Sequence, residues 1–119
     1  IPSRGGAAIN ADAMKTSAGA LNYIPVCREE NLKNTLRYLK DNGIAVLACT
    51  EKTEKSLYEV DFKRPVAILM GSEEDGISPE YLKQVDDRMK IPMCGQIESL
   101  NVSVSASIAI FEVNRQRNL

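Results

Sequence analysis

Pro65-Val66-Ala67-Ile68-Leu69-Met70-Gly71-Ser72-Glu73-Glu74-Asp75-Gly76-Ile77-Ser78-Pro79 reads as a strand, a loop and the opening of a helix. The first six residues are wholly apolar, which predicts a central strand of a parallel sheet, covered on both faces. Gly71 and Gly76 bound a loop where a tight turn or close backbone approach to a ligand demands residues without a Cβ. Ser78 as N-cap and Pro79 at the first helical position then predict a helix running to about Val85.

The same grammar extends upstream. Ile44-Ala45-Val46-Leu47-Ala48-Cys49 is a second continuous apolar run and a buried strand. Before it, Leu32, Leu36 and Leu39 recur at helical spacing between Asn31 and Asp41, with Lys33, Arg37 and Lys40 on the outside. Asn42-Gly43 ends that helix. Tyr23-Ile24-Pro25-Val26-Cys27 predicts a short strand, and residues 11–21 a short helix packed through small side chains. Thr50 to Arg64 is polar apart from Leu57-Tyr58.

Downstream, Met89-Lys90-Ile91-Pro92-Met93 predicts an edge-like strand stopped by proline. From Asn101 onward, polar and apolar residues alternate as in a strand, but the run continues through Ile110, Phe111 and Val113 to Arg115 and Arg117. That length favours a helix to Leu119. It is apolar nearly all round, so one side is expected to meet a partner subunit. Strands alternating with helices predict an α/β fold with a parallel sheet. Ligands in such sheets sit beyond the carboxyl ends of the strands, here the loops after Cys49, Met70 and Met93.

Composition narrows the chemistry. The 119 residues suit one domain, and 44% hydrophobic with 26% charged residues is an ordinary globular balance. No run approaches the ~18 apolar residues of a membrane span. Cys27, Cys49 and Cys94 form no CxxC pair, so the expectation is reduced, cytoplasmic thiols rather than zinc ligands or disulfides. Histidine is absent, which removes the commonest general base and every Ser-His or Cys-His nucleophile. The net charge of −1 gives no global pull toward nucleic acid. The local groups Lys33, Arg37, Lys40 and Lys63, Arg64, Arg88, Lys90 are ordinary solvated faces that permit such a partner.

Gly71 to Gly76 is neither a phosphate cradle, lacking Lys and carrying three carboxylates, nor a dinucleotide fingerprint. Such a turn suits a ligand with positive charge or hydroxyl donors; an acidic surface turn is the plain alternative. In Ile91-Pro92-Met93-Cys94-Gly95-Gln96-Ile97-Glu98-Ser99-Leu100-Asn101-Val102-Ser103, a strand ends at proline and small polar residues open the last helix. Capping accounts for one of Ser99, Asn101 and Ser103, and poorly for all three.

GSEEDG after an apolar strand resembles motif 2 of the SpoU (TrmH-type) RNA ribose 2′-O-methyltransferases, and IPMCGQIESLNVSVSASIAIFE resembles their motif 3. Lys15-Thr16-Ser17-Ala18-Gly19-Ala20-Leu21 with Ile24-Pro25-Val26 is similar to the segment that precedes their knot. The resemblance covers nearly the whole chain. It implies a single methyltransferase domain over residues 1–119, an α/β fold with a deep C-terminal trefoil knot, and a homodimer through the knot and last helix. It also implies S-adenosylmethionine as cofactor and RNA (ribosomal or transfer), not DNA, as partner; no membrane partner is expected, and no metal-ligand set is evident in the sequence. Cofactor contacts carry over to Gly71, Ile91 and Leu100, with Met70, Met93 and Ser103 nearby and Cys49 and Thr50 on the same pocket. Glu73 and Asn101 take the catalytic places of motifs 2 and 3, supporting an arginine of motif 1 that activates the ribose hydroxyl. That arginine would lie upstream of Lys15-Thr16-Ser17, where Arg4 stands too close to match, so the first strands and motif 1 are expected to be missing. The alternative of another class is a non-catalytic knotted module for RNA binding and dimerisation.

Overall fold

The computed structural model describes residues 1–97 and 99–118. Leu119, at the expected end of the last helix, and Glu98, within the quoted motif, lie outside the described residues. The chain divides into two compact units, Ile1–Thr35 and Leu36–Leu119.

In the first unit, α1 (Ala11–Thr16) is capped by Asn10, whose side chain accepts the Ala13 N–H. The helix expected over 11–21 is cut short because Ala18 and Gly19 adopt positive φ, 53° and 82°. Only a short helical turn, Ala20–Asn22, follows. No residue of α1 is buried, so the expected tight packing through small side chains is absent. The strand expected at Tyr23–Cys27 does not form. Tyr23, Ile24 and Val26 are exposed, Pro25 has no N–H to give a ladder, and the pairing found here is a single parallel bridge, Pro2 with Glu29.

The second unit is built on a parallel three-stranded sheet in the order β2-β1-β3, with β1 Ala45–Cys49, β2 Val66–Leu69 and β3 Asp87–Met89. Helix α2 (Leu32–Asp41) leads into it. Leu36 is buried, and the helix ends at Gly43, whose φ of 78° needs no Cβ. The central strand is β1, with Val46, Leu47 and Ala48 at 0% exposure, and not β2, whose four residues are each half-buried. The apolar run of β2 has another cause. Val66 and Ile68 pack on the cluster of Leu47, Leu57, Phe62, Met89, Ala109 and Val113. Leu69 packs on the opposite cluster of Ala48, Ile77 and Leu82. Two covered faces make a strand apolar whether or not it has a neighbour on both edges.

The segment after β1 contributes more to the core than its polar character predicts, because Leu57, Val60 and Phe62 are all buried. Each such side chain is worth roughly 1.5–3 kcal/mol when removed from water. Ser56 caps the helical turn Leu57–Glu59, with the Glu59 carboxylate accepting the Ser56 N–H in return. Helix α3 (Pro79–Leu82) begins at Pro79 as expected but stops three residues early. The Ser78 hydroxyl makes no capping bond, although its carbonyl accepts the Tyr81 and Leu82 N–H groups. The last strand lies earlier than expected, and its pairing gives way to a single bridge at Lys90, before Pro92. Helix α4 (Val102–Asn118) is the expected terminal helix. Its end straps the segment leading into β2. The Gln116 amide donates to Val60 O and accepts from Phe62 N, both at 2.8 Å, and Arg117 donates to the carbonyls of Phe62 and Arg64.

Candidate functional site

A cavity of about 350 Å³ opens where the carboxyl ends of β1 and β2 and the segment after β3 face the start of α4. Cys49 and Thr50 come from the end of β1, Met70 and Gly71 from the end of β2, Ile91 and Met93 from beyond β3, and Leu100 from the turn into α4. These seven expected residues therefore meet in one place, at the strand ends where a parallel sheet keeps its ligands. The expected Ser103 does not line the cavity.

The loop between β2 and α3 closes on itself. Gly76 donates to Ser72 O at 3.0 Å, and the Ser72 hydroxyl accepts the Asp75 N–H at 3.1 Å. Gly71 cannot carry a side chain here, since a Cβ would lie 2.2 Å from the Gly76 carbonyl carbon and 2.5 Å from the Ile77 nitrogen. Gly76, at φ 67°, turns the chain so that Ile77 drops into the core at 5% exposure.

The two expected catalytic residues touch. Asn101 Nδ2 donates to Glu73 Oε1 at 2.6 Å. Its Oδ1 accepts from Ser103 N at 2.9 Å, Ser103 Oγ at 2.6 Å and Val104 N at 3.3 Å. Asn101 is thus the N-cap of α4, and the helix N–H groups fix its oxygen inward so that only its amide hydrogens can reach Glu73. Ser103 is a capping partner, its hydroxyl donating to Asn101.

Polarity grades from mouth to floor. Glu73, Glu74 and Asp75 are exposed at the mouth, joined by Glu51. Lys90 is the one cation among the described residues lining the cavity, and its ion pair with the exposed Glu54 spans 3.4 Å. The floor holds Ile77, Thr50 and Ser105, all buried. Burial, with a smaller push from Glu51, raises the Cys49 thiol above its ordinary range, so it is a neutral wall rather than a nucleophile. Among the described residues no group of three or more acidic or thiol side chains is arranged to hold a metal ion, and no helix is long and apolar enough to cross a membrane.

Sequence reasoning missed Ile77, Lys90 and Ser105. Ser105 carried a signal, standing one helical turn after Asn101 and therefore on the same face. Ile77 and Lys90 carried none, because their positions follow from how the loop and the end of β3 fold.

Residues 1–111 match the SpoU rRNA Methylase family. The chain is 43% identical over 117 residues to a 23S rRNA (guanosine-2′-O-)-methyltransferase, RlmB, of Xanthomonas axonopodis pv. citri, covering 98% of this chain and 47% of that protein. An RNA 2′-O ribose methyltransferase of known structure superposes with a TM-score of 0.87 at 30% identity, over 100% of this chain and 46% of that one. An AdoMet-bound rRNA methyltransferase from Sinorhizobium meliloti gives 0.87 at 25% identity, over 96% and 44%. The chain spans about half the length of the curated relatives it matches.

Proposed function

Since the chain belongs to the SpoU family of RNA methylases, we propose that it binds S-adenosylmethionine as part of an RNA ribose 2′-O-methyltransferase. The observation that carries this is the cavity at the strand ends, with the Glu73–Asn101 pair joining the β2–α3 loop to α4. Its residues fit the cofactor. Met70, Ile77, Ile91 and Leu100 offer apolar walls for a flat base, the carboxylates at the mouth suit a cationic sulfonium and ammonium, and the volume lies in the range of about 300–1,000 Å³ usual for ligand sites.

Bound there, S-adenosylmethionine supplies a methyl group on a positively charged sulfur. The protein's part is to hold a ribose 2′-hydroxyl in line with it and to help remove a proton from a poorly acidic group. Glu73, its carboxylate held by Asn101, faces outward to grip the ribose or an activating arginine by charge-assisted bonds. No arginine lines the cavity among the described residues, so the motif 1 arginine of the family resemblance is assigned no place in it. Gly71, Ile91 and Leu100 are assigned the cofactor's backbone contacts.

The further assignments rest on the family and on one feature of α4. The fold is proposed to be knotted, with α4 passing beneath the Val60–Arg64 segment it straps. Val104, Ile110 and Phe111 on α4 are 46%, 52% and 71% exposed, an apolar surface that a second copy of the chain would cover. The substrate is proposed to be ribosomal or transfer RNA, in the cytoplasm.

Calorimetric titration with S-adenosylmethionine, S-adenosylhomocysteine and ATP tests the cofactor. Binding of the first two and not the third is expected, and a folded chain that binds none of them would overturn the proposal. In a methyl-transferring protein that carries this chain, Glu73→Ala should cut methyl transfer at least a hundredfold; near-wild-type turnover would remove Glu73 from the mechanism.

A further inference from the structure

Two hydroxyl side chains are buried on the cavity floor, Thr50 at 8% and Ser105 at 9% exposure. The Thr50 hydroxyl is engaged, accepting the Lys52 N–H at 3.2 Å. The Ser105 hydroxyl has no hydrogen-bond partner among the described residues, and only its backbone N–H is used, toward Asn101 O. A serine inside a helix ordinarily satisfies itself by bonding the carbonyl four residues back. Ser107 does this, donating to Ser103 O at 2.8 Å. Ser105 does not, although the same bond would have cost nothing in backbone geometry. Among the described residues the sealed side-chain polar atom left unbonded is Gln84 Oε1, so the Ser105 hydroxyl keeps contact with the cavity it lines and is open to a ligand there.

We propose that Ser105 is a cofactor-binding residue whose hydroxyl hydrogen-bonds the adenosine end of the ligand. This rests on the S-adenosylmethionine assignment above and adds an orientation to it. The ligand has one end with ammonium, carboxylate and sulfonium charges, and another that is a flat base and a ribose. Taking the charges to the floor, beside Ile77 and Ser105, would strip their water with no opposite charge to replace it. At the mouth, Glu73, Glu74 and Asp75 supply charge opposite to the positive groups, and Lys90 supplies charge opposite to the carboxylate. The adenosine end therefore goes in. Its edges carry both donors and acceptors, and a serine hydroxyl can serve as either.

The test uses Ser105→Ala, which removes one oxygen and places a better helix former in α4. Two ligands are titrated calorimetrically: S-adenosylhomocysteine, and 5′-methylthioadenosine, which keeps base and ribose but lacks the amino-acid end. The expected result is that both bind about three- to tenfold more weakly, by the same factor. The unfolding midpoint of the ligand-free protein should stay level or rise slightly, because the hydroxyl bonds nothing in the protein and alanine is the better helix former. A merely structural serine would move affinity and midpoint down together, and that outcome overturns the proposal. Unchanged affinity for both ligands overturns it too. Weakened binding of S-adenosylhomocysteine alone would put Ser105 at the amino-acid end and overturn the orientation. If wild-type protein binds neither ligand, the cofactor assignment falls and this one with it.

Discussion

Replacing Asn101 separates two jobs that one side chain performs, capping α4 with its oxygen and holding Glu73 with its amide. Asn101→Ala removes both. Loss of the cap costs about 1 kcal/mol, and loss of an exposed charge-assisted bond adds about 0.5–1 kcal/mol. Asn101→Asp keeps the cap, and its charge at the start of a 17-residue helix gains about 0.3–1 kcal/mol. But it sets a carboxylate against Glu73 where an N–H now lies 2.6 Å away. Two unit charges near 4 Å repel by about 1 kcal/mol even in water. The single substitution is therefore destabilising by about 1 kcal/mol at pH 7. The decisive variant is the exchange, Asn101→Asp with Glu73→Gln. It restores one amide facing one carboxylate with the donor on the other side, and leaves the cap intact. Urea unfolding at pH 7 should place the exchange within about 0.5 kcal/mol of wild type, well above the sum of its two single changes. Asn101→Asp alone should recover as the pH falls, because crowding raises the affinity of the carboxylate pair for a shared proton. Stability of that kind is present below the unfolded-state pKa and lost as pH rises through the folded one. An exchange no more stable than the additive sum would refute the contact and the role built on it.

Gly71→Ala drives a methyl group to within 2.2 Å of the Gly76 backbone; unfolding should show a loss of about 1–3 kcal/mol, and cofactor binding should fall with it as the loop is pushed open. Gln116→Ala leaves the Phe62 N–H and Val60 carbonyl without their partners, which should cost about 1–3 kcal/mol in the same assay. Glu112 is buried, and its carboxyl is held below the usual range by hydrogen bonding to Arg115, against the opposing effect of burial. Its contribution is therefore full above the unfolded carboxylate pKa and lost as pH falls through the lower folded value. Glu112→Gln should flatten the acid limb of a stability–pH profile measured by thermal unfolding.

Elements whose cause is local were legible in the sequence. The Leu32, Leu36, Leu39 stripe and Gly43 mark α2, and the apolar runs mark β1 and β2. What sequence could not rank was which run is central, because β2 is apolar for being covered on both faces, by Phe62 and Ala109 on one side and Ile77 and Leu82 on the other. Nor could it find Leu57, Val60 and Phe62 as core. They sit in a polar stretch without period, and the bonds from Gln116 and Arg117 that hold their backbone come from the far end of the chain. Eight of the residues that line the cavity, Glu73 among them, were named from the family resemblance. That Glu73 and Asn101 meet each other was not legible, since nothing in either motif fixes the distance between them.

Helix α4 shows why ambiguity in a sequence can itself be informative. Its alternation of small polar and apolar residues imitates a strand, and no single apolar stripe emerges. The structure accounts for this by giving the helix several neighbours. Val102 and Ser105 line the cavity, Ala109 and Val113 enter the core, and Gln116 and Arg117 bind the segment before β2. Each neighbour asks for a different side chain at a different angle, and the sum cancels any one stripe. Val104, Ile110 and Phe111 are left over, apolar and exposed, serving none of these neighbours. They form the surface that the proposed second copy of the chain would cover.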